Sequence, residues 1–553
     1  MKVVDLNREY NQLYAERSFW FSQWRELSKF ILPYNGKYFH DDKMAQISRT
    51  NKIYDNAATR ASKILSAGMM SGMTNPARPW FKISLEDKEL ADFGDVKTWL
   101  EDVTESVSSI LRRSNVYRVL PSVYSEMGVF GGFAGLIDDD YNDVIRLHPF
   151  TAGEYMIGVD WTGRVDKLYR EFNRTVHAVV KYFGYENVSK EIQQAYDAKE
   201  FNKEIVIRHA IYPRPVHERE LGKIGNKNMP FASVYWEAGR DYILKESGFE
   251  EFPVVAPRWD VRPGDTYGNS PGMEVLGDIK QLQLDQFRKS QAIDYQANPP
   301  LQIPASMKNR ESDLFPGGFT YYDETATGAG IRTAFEVNLD IRTLLDDIND
   351  IRERIRSSFY VDTFLAITSQ TKQMTAYETA QRKAEQMVML GPVVERTNNE
   401  LLEPMINTVF QRLLKAGMLP PVPQELEGQD LKIEYISIMA QAQKSAAINS
   451  ISAFVGELGQ IAAIKPDVLD KFDSDKWVDI VSDMSGVPHD LILSDKNVSI
   501  IRQQRAEAMA QQQKQQTMLG AAEVANKVGN IPAGEGTPGE MIMDTLKQRM
   551  GQK

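Results

Sequence analysis

Apolar residues recur along this chain in two rhythms, and the switches between them divide it. Spacings of three and four dominate up to about residue 130 and again after Thr266, whereas strict alternation governs most of Val144 to Asp260. The strongest helical patterning lies between Thr266 and Pro420. Ser270-Pro271 offers a capping hydroxyl and a first-turn proline, which predicts a helix from about Gly272 to Ala297. An irregular insert, Asn298 to about Asn338, carries Pro299, Pro300, Pro304, Pro316, Gly317 and Gly318. Ile341, Leu344, Ile348, Ile351 and Ile355 then draw one narrow apolar stripe on a second helix, about Leu339 to Thr363. A short polar loop, Phe364 to Met374, precedes a third. Thr375 and Glu378 have capping-box spacing and begin a helix running to Ala416-Gly417, roughly 60 Å long. Pro392 and Pro404 should bend it.

Ahead of this region, residues 5–31 pattern as an aromatic amphipathic helix bearing Arg17, Trp20 and Trp24 on one face, ending at Pro33-Tyr34-Asn35-Gly36. Docking onto the body is the expected use of that face; an aromatic surface for a partner is the alternative. A helix rich in small residues follows at about Asn51 to Gly72, then an extended segment at Trp80 to Ile83, then helices at Val96–Arg113 and Val116–Val129. The alternating region predicts strands at 144–148, 154–160, 165–172, 205–209, 231–236 and 242–245, interrupted by helices at about 176–183 and 188–198. After a Pro/Gln-rich link comes a strand at Leu431 to Ser437, helical patterning from Ala440 to Arg505, a glutamine-rich stretch to Met518, and a Gly/Pro-rich segment, 529–539, expected to be mobile. The fold class is α+β, predominantly helical.

The chain's 553 residues, 42% hydrophobic and 25% charged, can build large cores and several domains. Cysteine is absent, which excludes disulfides, thiolate metal sites and cysteine nucleophiles. No apolar run approaches the roughly 20 residues that span a bilayer, and the first residues lack a signal-peptide core. The net charge of −11 argues against a broad basic grip on nucleic acid.

Candidate chemistry is sparse. Gly128 to Gly135 fits neither phosphate-loop spacing and reads as a tight helix-to-strand junction. Asp138-Asp139-Asp140 are consecutive, so they do not converge on one ion in ordinary backbone, and a solvated turn is the expected reading. His148, His177, His209 and His217 show no metal-ligand spacing and read as structural. No nucleophile elbow, zinc signature or Walker motif is present, so no catalytic, cofactor or metal site is assigned.

The order of parts is an aromatic first helix, a Pro-Trp-Phe segment, an α+β body, Tyr267-Gly268-Asn269-Ser270-Pro271, helix, insert, helix, polar loop, long helix and helical tail. Together with Arg17 to Pro33, Ile53-Tyr54-Asp55-Asn56 to Phe81, and Tyr435 to Gln443, it resembles the portal (head-to-tail connector) proteins of podovirus-type, short-tailed bacteriophages. The resemblance covers nearly the whole chain. It implies a ring, usually dodecameric, at one capsid vertex. Through that ring an ATP-driven terminase pumps double-stranded DNA, which later leaves by the same channel. On this likeness residues 1–265 resemble the wing, 266–297 and 339–363 the two stem helices, and 298–338 the clip that docks terminase and then tail adaptor or nozzle proteins. Residues 364–374 resemble the tunnel loop, 375–437 the kinked wing helix and its following strand, and 438–553 the crown or barrel.

The implied site residues are the clip surface Lys308, Arg310, Phe315 and Phe319, and the DNA-facing loop Thr368, Ser369, Gln370, Thr371, Lys372 and Gln373. The implied channel-lining stem residues are Asp346, Asp347, Asp350 and Glu353. An acid-leaning wall would repel phosphate and let DNA slide, and the loop's short polar groups and single lysine would touch phosphates weakly, without reading bases. Contacts with the major capsid and scaffolding proteins, assembly in the bacterial host cytoplasm and residence in the virion are also implied, with no membrane and no cofactor. A non-portal scaffolding protein and a metal-dependent nuclease using Asp138 to Asp140 are the alternative readings.

Overall fold

The computed structural model describes residues 2–38, 53–91, 94–219, 225–298, 301–302, 332–333, 341–368, 389–426 and 428–436, and farther on 454–461, 465, 467, 471–485 and 498–511. The chain divides into two compact units, Met1–Ser450 and Ile451–Lys553. The first opens with α1 (Val3–Phe30) and α2 (Ala57–Met73). Next come β1 (Phe81–Leu85), the short α3 (Lys88–Ala91), α4 (Gly94–Arg113) and α5 (Val116–Phe130). A hairpin of β2 (Ala134–Asp140) and β3 (Val144–Phe150) follows. Strands β4 (Tyr155–Val159) and β5 (Val165–Thr175), helices α6 (Val176–Phe183) and α7 (Lys190–Asp197), and strands β6 (Glu204–Pro213), β7 (Phe231–Glu237) and β8 (Ile243–Phe249) form the body. Its five strands pair antiparallel in consecutive order, while β9 (Val254–Val255) returns to pair with β2.

The body's alternation has a simple cause. Tyr169, Ala210, Tyr212, Val234 and Trp236 face α1, burying Leu6, Tyr10 and Leu13, while Ile207, Tyr235 and Leu244 face α6 and α7 on the opposite side. Docking of α1 is the reading the structure supports: Trp24 is buried and donates from Nε1 to the Phe130 carbonyl at 2.9 Å. Arg17 is buried too, donating from Nη1 to the carbonyls of Gly153 (2.8 Å) and Tyr155 (2.9 Å).

Next come α8 (Pro271–Glu274), α9 (Leu276–Ala297), the paired strands β10 (Leu301–Gln302) and β11 (Arg332–Thr333), α10 (Ile341–Ser358) and α11 (Val361–Thr368). Beyond them lie α12 (Gly391–Thr397), a π-turn at Asn398–Leu402, α13 (Glu403–Lys415) and β12 (Leu431–Tyr435), which pairs with β1 from Phe81↔Tyr435 to Leu85↔Leu431. The second unit contains α14 (Ser474–Ser485) and helical stretches 454–461 and 498–511. No described helix is long and apolar enough to cross a membrane.

Several sequence expectations change. The first stem helix is broken at Val275, whose backbone leaves helical geometry. The second is not continuous to Thr363: Tyr360 adopts φ 54°, a left-handed conformation that ends α10, and α11 restarts at once. Phe364 to Thr368 are therefore helical, not loop. The kink is fixed by packing, because Phe359 and Phe364 on its two sides are both fully buried. The third helix is interrupted at both prolines: α12 begins at Gly391-Pro392, directly after a turn at Leu390, and α13 begins at Glu403-Pro404. Between them the Glu403 N–H reaches back five residues to the Asn398 carbonyl, a wide turn where Pro404 has no N–H to offer. The capping box at Thr375 and Glu378, the 529–539 segment and residues 437–450 lie outside the described residues. Asp138 to Asp140 end strand β2 and are not a turn, because pairing with Arg146, Ile145 and Val144 extends the hairpin to its tip.

One close contact and one open position give predictions. A Cβ on Gly68 in α2 would lie 2.1 Å from the Phe364 ring, so Gly68→Ala should lower stability by about 1–3 kcal/mol or more in chemical denaturation. Gly277→Ala on α9 meets open space and should raise it by about 0.5–1 kcal/mol. Burial pushes the Glu126 carboxyl up to about 7, against hydrogen bonds that include Asn35. The folded state therefore holds this proton more tightly than the unfolded one, and the stability it contributes at acid pH is lost as pH rises towards 7. Glu126→Gln should flatten that slope and leave the protein about 1–3 kcal/mol more stable than the parent above pH 7, measured as denaturation midpoints against pH.

Candidate functional site

The Tyr267 to Pro271 segment is a junction that leads into α8 and α9. Ser270 Oγ accepts from the Met273 N–H at 3.1 Å and donates to the Val129 carbonyl at 2.7 Å, so one hydroxyl caps α8 and ties it to α5. Gly131 and Gly268 meet backbone to backbone: a Cβ on Gly131 would lie 2.0 Å from the Gly268 carbonyl oxygen, and one on Gly268 2.3 Å from that of Gly131. Gly131 also takes φ 83° at the end of α5, which makes the glycine-rich stretch the helix-to-strand junction expected from sequence. Tyr267 is buried against Trp24 at 5.2 Å, and its hydroxyl accepts from the Ile157 N–H at 3.2 Å.

Arg258 locks the other side of this junction. Its Nη2 and Nε donate to the two carboxylate oxygens of Glu400 at 2.7 and 3.2 Å, a forked pair on the π-turn. It also donates to the carbonyls of Thr266 (3.3 Å) and Gly163 (3.0 Å). Body, junction and π-turn thus share one guanidinium.

Helices α9 and α10 are held together by a buried carboxylate. Ile348, Ile351 and Ile355 are fully buried, as the stripe predicts, beside Ile279 and Leu282 of α9 in the same core. Asp55, 7% exposed, accepts at Oδ2 from Arg352 Nη2 (2.8 Å) and Nε (3.1 Å) on α10 and from Gln286 Nε2 (2.8 Å) on α9. Gln283 of α9 accepts from the Tyr54 and Asp55 N–H groups at 2.7 and 2.9 Å and donates to the Asp55 carbonyl at 2.8 Å. Arg354 reaches Asp278 across the pair at 3.5 Å. The sequence reading passed over Asp55, Gln283, Arg258 and Glu400. A glutamine within the apolar face of α9 was the one available signal.

Asp346, Asp347, Asp350 and Glu353 are all exposed on α10. Asp346, Asp350 and Glu353 lie opposite the buried isoleucines, and Asp347 lies on the flank with Arg354. Arg354 lies 3.7 Å from Asp350, and Arg356 lies 3.6 Å from Glu353 and 2.7 Å from Asp362. The outer face stays acid-leaning because each arginine is shared. Thr368 ends α11, whereas Ser369, Gln370, Thr371, Lys372 and Gln373, and the clip residues Lys308, Arg310, Phe315 and Phe319, lie outside the described residues.

The aspartates at the β2 tip diverge. Asp140 accepts from the N–H groups of Asn142 and Asp143, Asp139 pairs with Arg412, and Asp138 lies 4.0 Å from His148. Among the described residues no group of three His, Asp or Glu side chains could hold a metal ion. His209 is buried, stacked 3.8 Å over Tyr235 and bonded to Ser233 at 3.0 Å, and burial pulls its pKa well below the ordinary histidine range.

Residues 4–493 match the model of the family described as bacteriophage head to tail connecting protein. The chain belongs to this head-to-tail connector family. It is 47% identical over 525 residues to a protein named probable portal protein of Bordetella phage BPP-1, covering 94% of each chain. It is 42% identical over 505 residues to a portal protein of Salmonella phage epsilon15, covering 91% of this chain and 90% of that one. A solved chain from the neck of an empty gene transfer agent particle aligns over 82% of this chain and 96% of its own, with 10% identity and a TM-score of 0.35, too low a likeness to argue from. The resemblance to podovirus portals read from the sequence is borne out. The connector is a structural virion component, and roles in genome packaging and in docking follow from the family.

Asp55→Ala should cost about 1–3 kcal/mol in denaturant unfolding, because it strips two helices of their shared acceptor. Arg352→Ala should cost at least as much, because it strands the buried Asp55 carboxylate with Gln286 as its remaining side-chain donor, whereas the half-exposed Arg352 left by Asp55→Ala stays hydrated. The double variant should fall short of additivity.

Proposed function

We propose that twelve copies of this chain form a ring at one capsid vertex. The ring serves as the conduit for double-stranded DNA during terminase-driven packaging and later ejection. The carrying observation is the 47% identity to a phage portal protein over 94% of both chains. The exposed acidic face of α10 supports a luminal wall: Asp346, Asp347, Asp350 and Glu353 repel phosphate, so the duplex slides without parking. The loop Thr368 to Gln373 is the weak, sequence-independent contact, with Lys372 its single cation. Residues 298–338 are the clip, where Lys308, Arg310, Phe315 and Phe319 receive the terminase large subunit and then tail adaptor or nozzle proteins. The regions 1–265 and 375–437 form the wing and 438–553 the crown, within reach of capsid and scaffolding proteins. Assembly takes place in the bacterial host cytoplasm.

Family membership favours this reading over a free scaffolding protein. A nuclease at Asp138 to Asp140 is disfavoured, because those carboxylates are engaged by the hairpin turn and by Arg412.

The test is complementation of a phage lacking its own connector gene. Lys372→Glu should leave ring assembly intact and reduce DNA-filled capsids, and Asp350→Arg should slow packaging by adding a cation to the wall. Normal filling and retention in both variants would remove these residues from the DNA path.

A further inference from the structure

We infer that the groove between α2 and α5 is a docking site for the sugar–phosphate backbone of duplex DNA, separate from the acidic face of α10 and from the loop 368–373. The two helices run antiparallel in contact: Ser62 Oγ lies 3.3 Å from Ser125 Oγ, and one turn on Ser66 Oγ donates to the Pro121 carbonyl. Beside this contact lies an open groove of about 640 Å³, lined by Lys63, Met70, Ser71 and Asn75 on one side and by Ser122 and Ser125 on the other. The same register carries Arg118, one turn before Ser122, towards Ser71 and Asn75. Trp80 Nε1 donates to the Tyr117 hydroxyl at 2.9 Å, which brings Arg78 to that end too. Arg60 lies one turn before Lys63 on the exposed face of α2.

Four cations therefore rim the groove, and all four are exposed. Among the described residues none of them has a carboxylate partner. The acids nearest in sequence are withdrawn. Helix α2 has no acidic residue, and Asp55 ahead of it is buried under Arg352 and Gln286. Helix α5 has only Glu126, which is buried and bonded to Asn35. Glu105 on α4 is paired with Arg112, and Thr74 to Trp80 carry no acid at all. The groove is locally positive in a chain whose net charge is −11.

The chemistry of the lining selects the occupant. No aromatic side chain lines the groove, so it lacks both the platform on which single strands stack their bases and the aromatic anchors of protein–protein contacts. Ser71, Ser122 and Ser125 offer hydroxyl donors. Asn75 spends its Oδ1 on the Ala77 N–H at 2.9 Å and keeps its amide N–H groups. Short polar donors among lysine and arginine suit phosphate oxygens and read no bases. At 1.5 Å per residue, Arg60 to Ser71 spans about 16 Å, long enough for several phosphates of one strand.

The test separates this groove from any channel, because a closed circular duplex cannot thread a preformed ring. Full-length protein is titrated against relaxed circular duplex over a range of salt. The parent should bind. Lys63→Gln with Arg118→Gln should weaken binding at least about tenfold at low salt and flatten the dependence of log K on log salt by about 0.9 for each cation removed. Ser122→Asp, which leaves all four cations in place, should weaken it as well. Lys181→Gln with Lys190→Gln, exposed on α6 and α7, should change neither quantity. Denaturation midpoints equal to the parent's establish that each variant folds. A circle that the parent fails to bind, binding unchanged by the groove variants, or an equal loss in the control pair would overturn the groove. Binding of polyglutamate in place of the duplex would also overturn it, by assigning the groove to an acidic protein. No outcome requires a ring, so failure of the groove leaves the ring reading standing.

Discussion

A carboxylate buried in a low-dielectric interior must be satisfied, and Asp55 meets that demand by joining two helices distant in sequence. Its acceptors take Arg352 from α10 and Gln286 from α9, while Gln283 holds its backbone on both sides. The α9–α10 pair therefore cannot slide or splay at this point without stranding a charge. The apolar stripe supplies the burial, but isoleucines alone would tolerate a small shift along the helix axis. The hydrogen-bonded carboxylate fixes the register. The fully buried Phe364, seated over Gly68, sets the direction in which the chain leaves α10.

A second constraint carries that geometry into the rest of the unit. The backbones at Gly131 and Gly268 approach so closely that no side chain fits, and Arg258 spans from this contact to Glu400 on the π-turn. Body, α8 and the π-turn share one junction through directional bonds.

Much of the fold was legible because its periodicities are strong. The α6 limits, the five body strands, the cap at Ser270 and the stripe on α10 follow from spacing and from two or three local residues. What escaped was set by tertiary contacts. Nothing near Tyr360 announces a left-handed residue; burial of Phe359 and Phe364 demands it. Asp138 to Asp140 look like a turn until β3 pairs with them and Arg146 and Arg412 neutralise their charge. Asp55 looks like any polar residue ahead of a helix, because its partners lie more than 200 positions away. Of the proposed DNA-facing groups, Asp346, Asp350 and Glu353 are exposed opposite the isoleucine stripe and Asp347 on its flank, as the stripe's phase requires, whereas their channel role came from the family resemblance alone.

The central claim is that this chain surrounds DNA. The most direct measurement is electron microscopy of the full-length protein, purified alone and within assembled capsids, with mass determination of the particle. The account predicts a closed ring with an axial hole wide enough for a duplex, stem helices lining the passage and the acidic face of α10 turned inward. A compact particle without a hole, in capsids as well as in isolation, would contradict it.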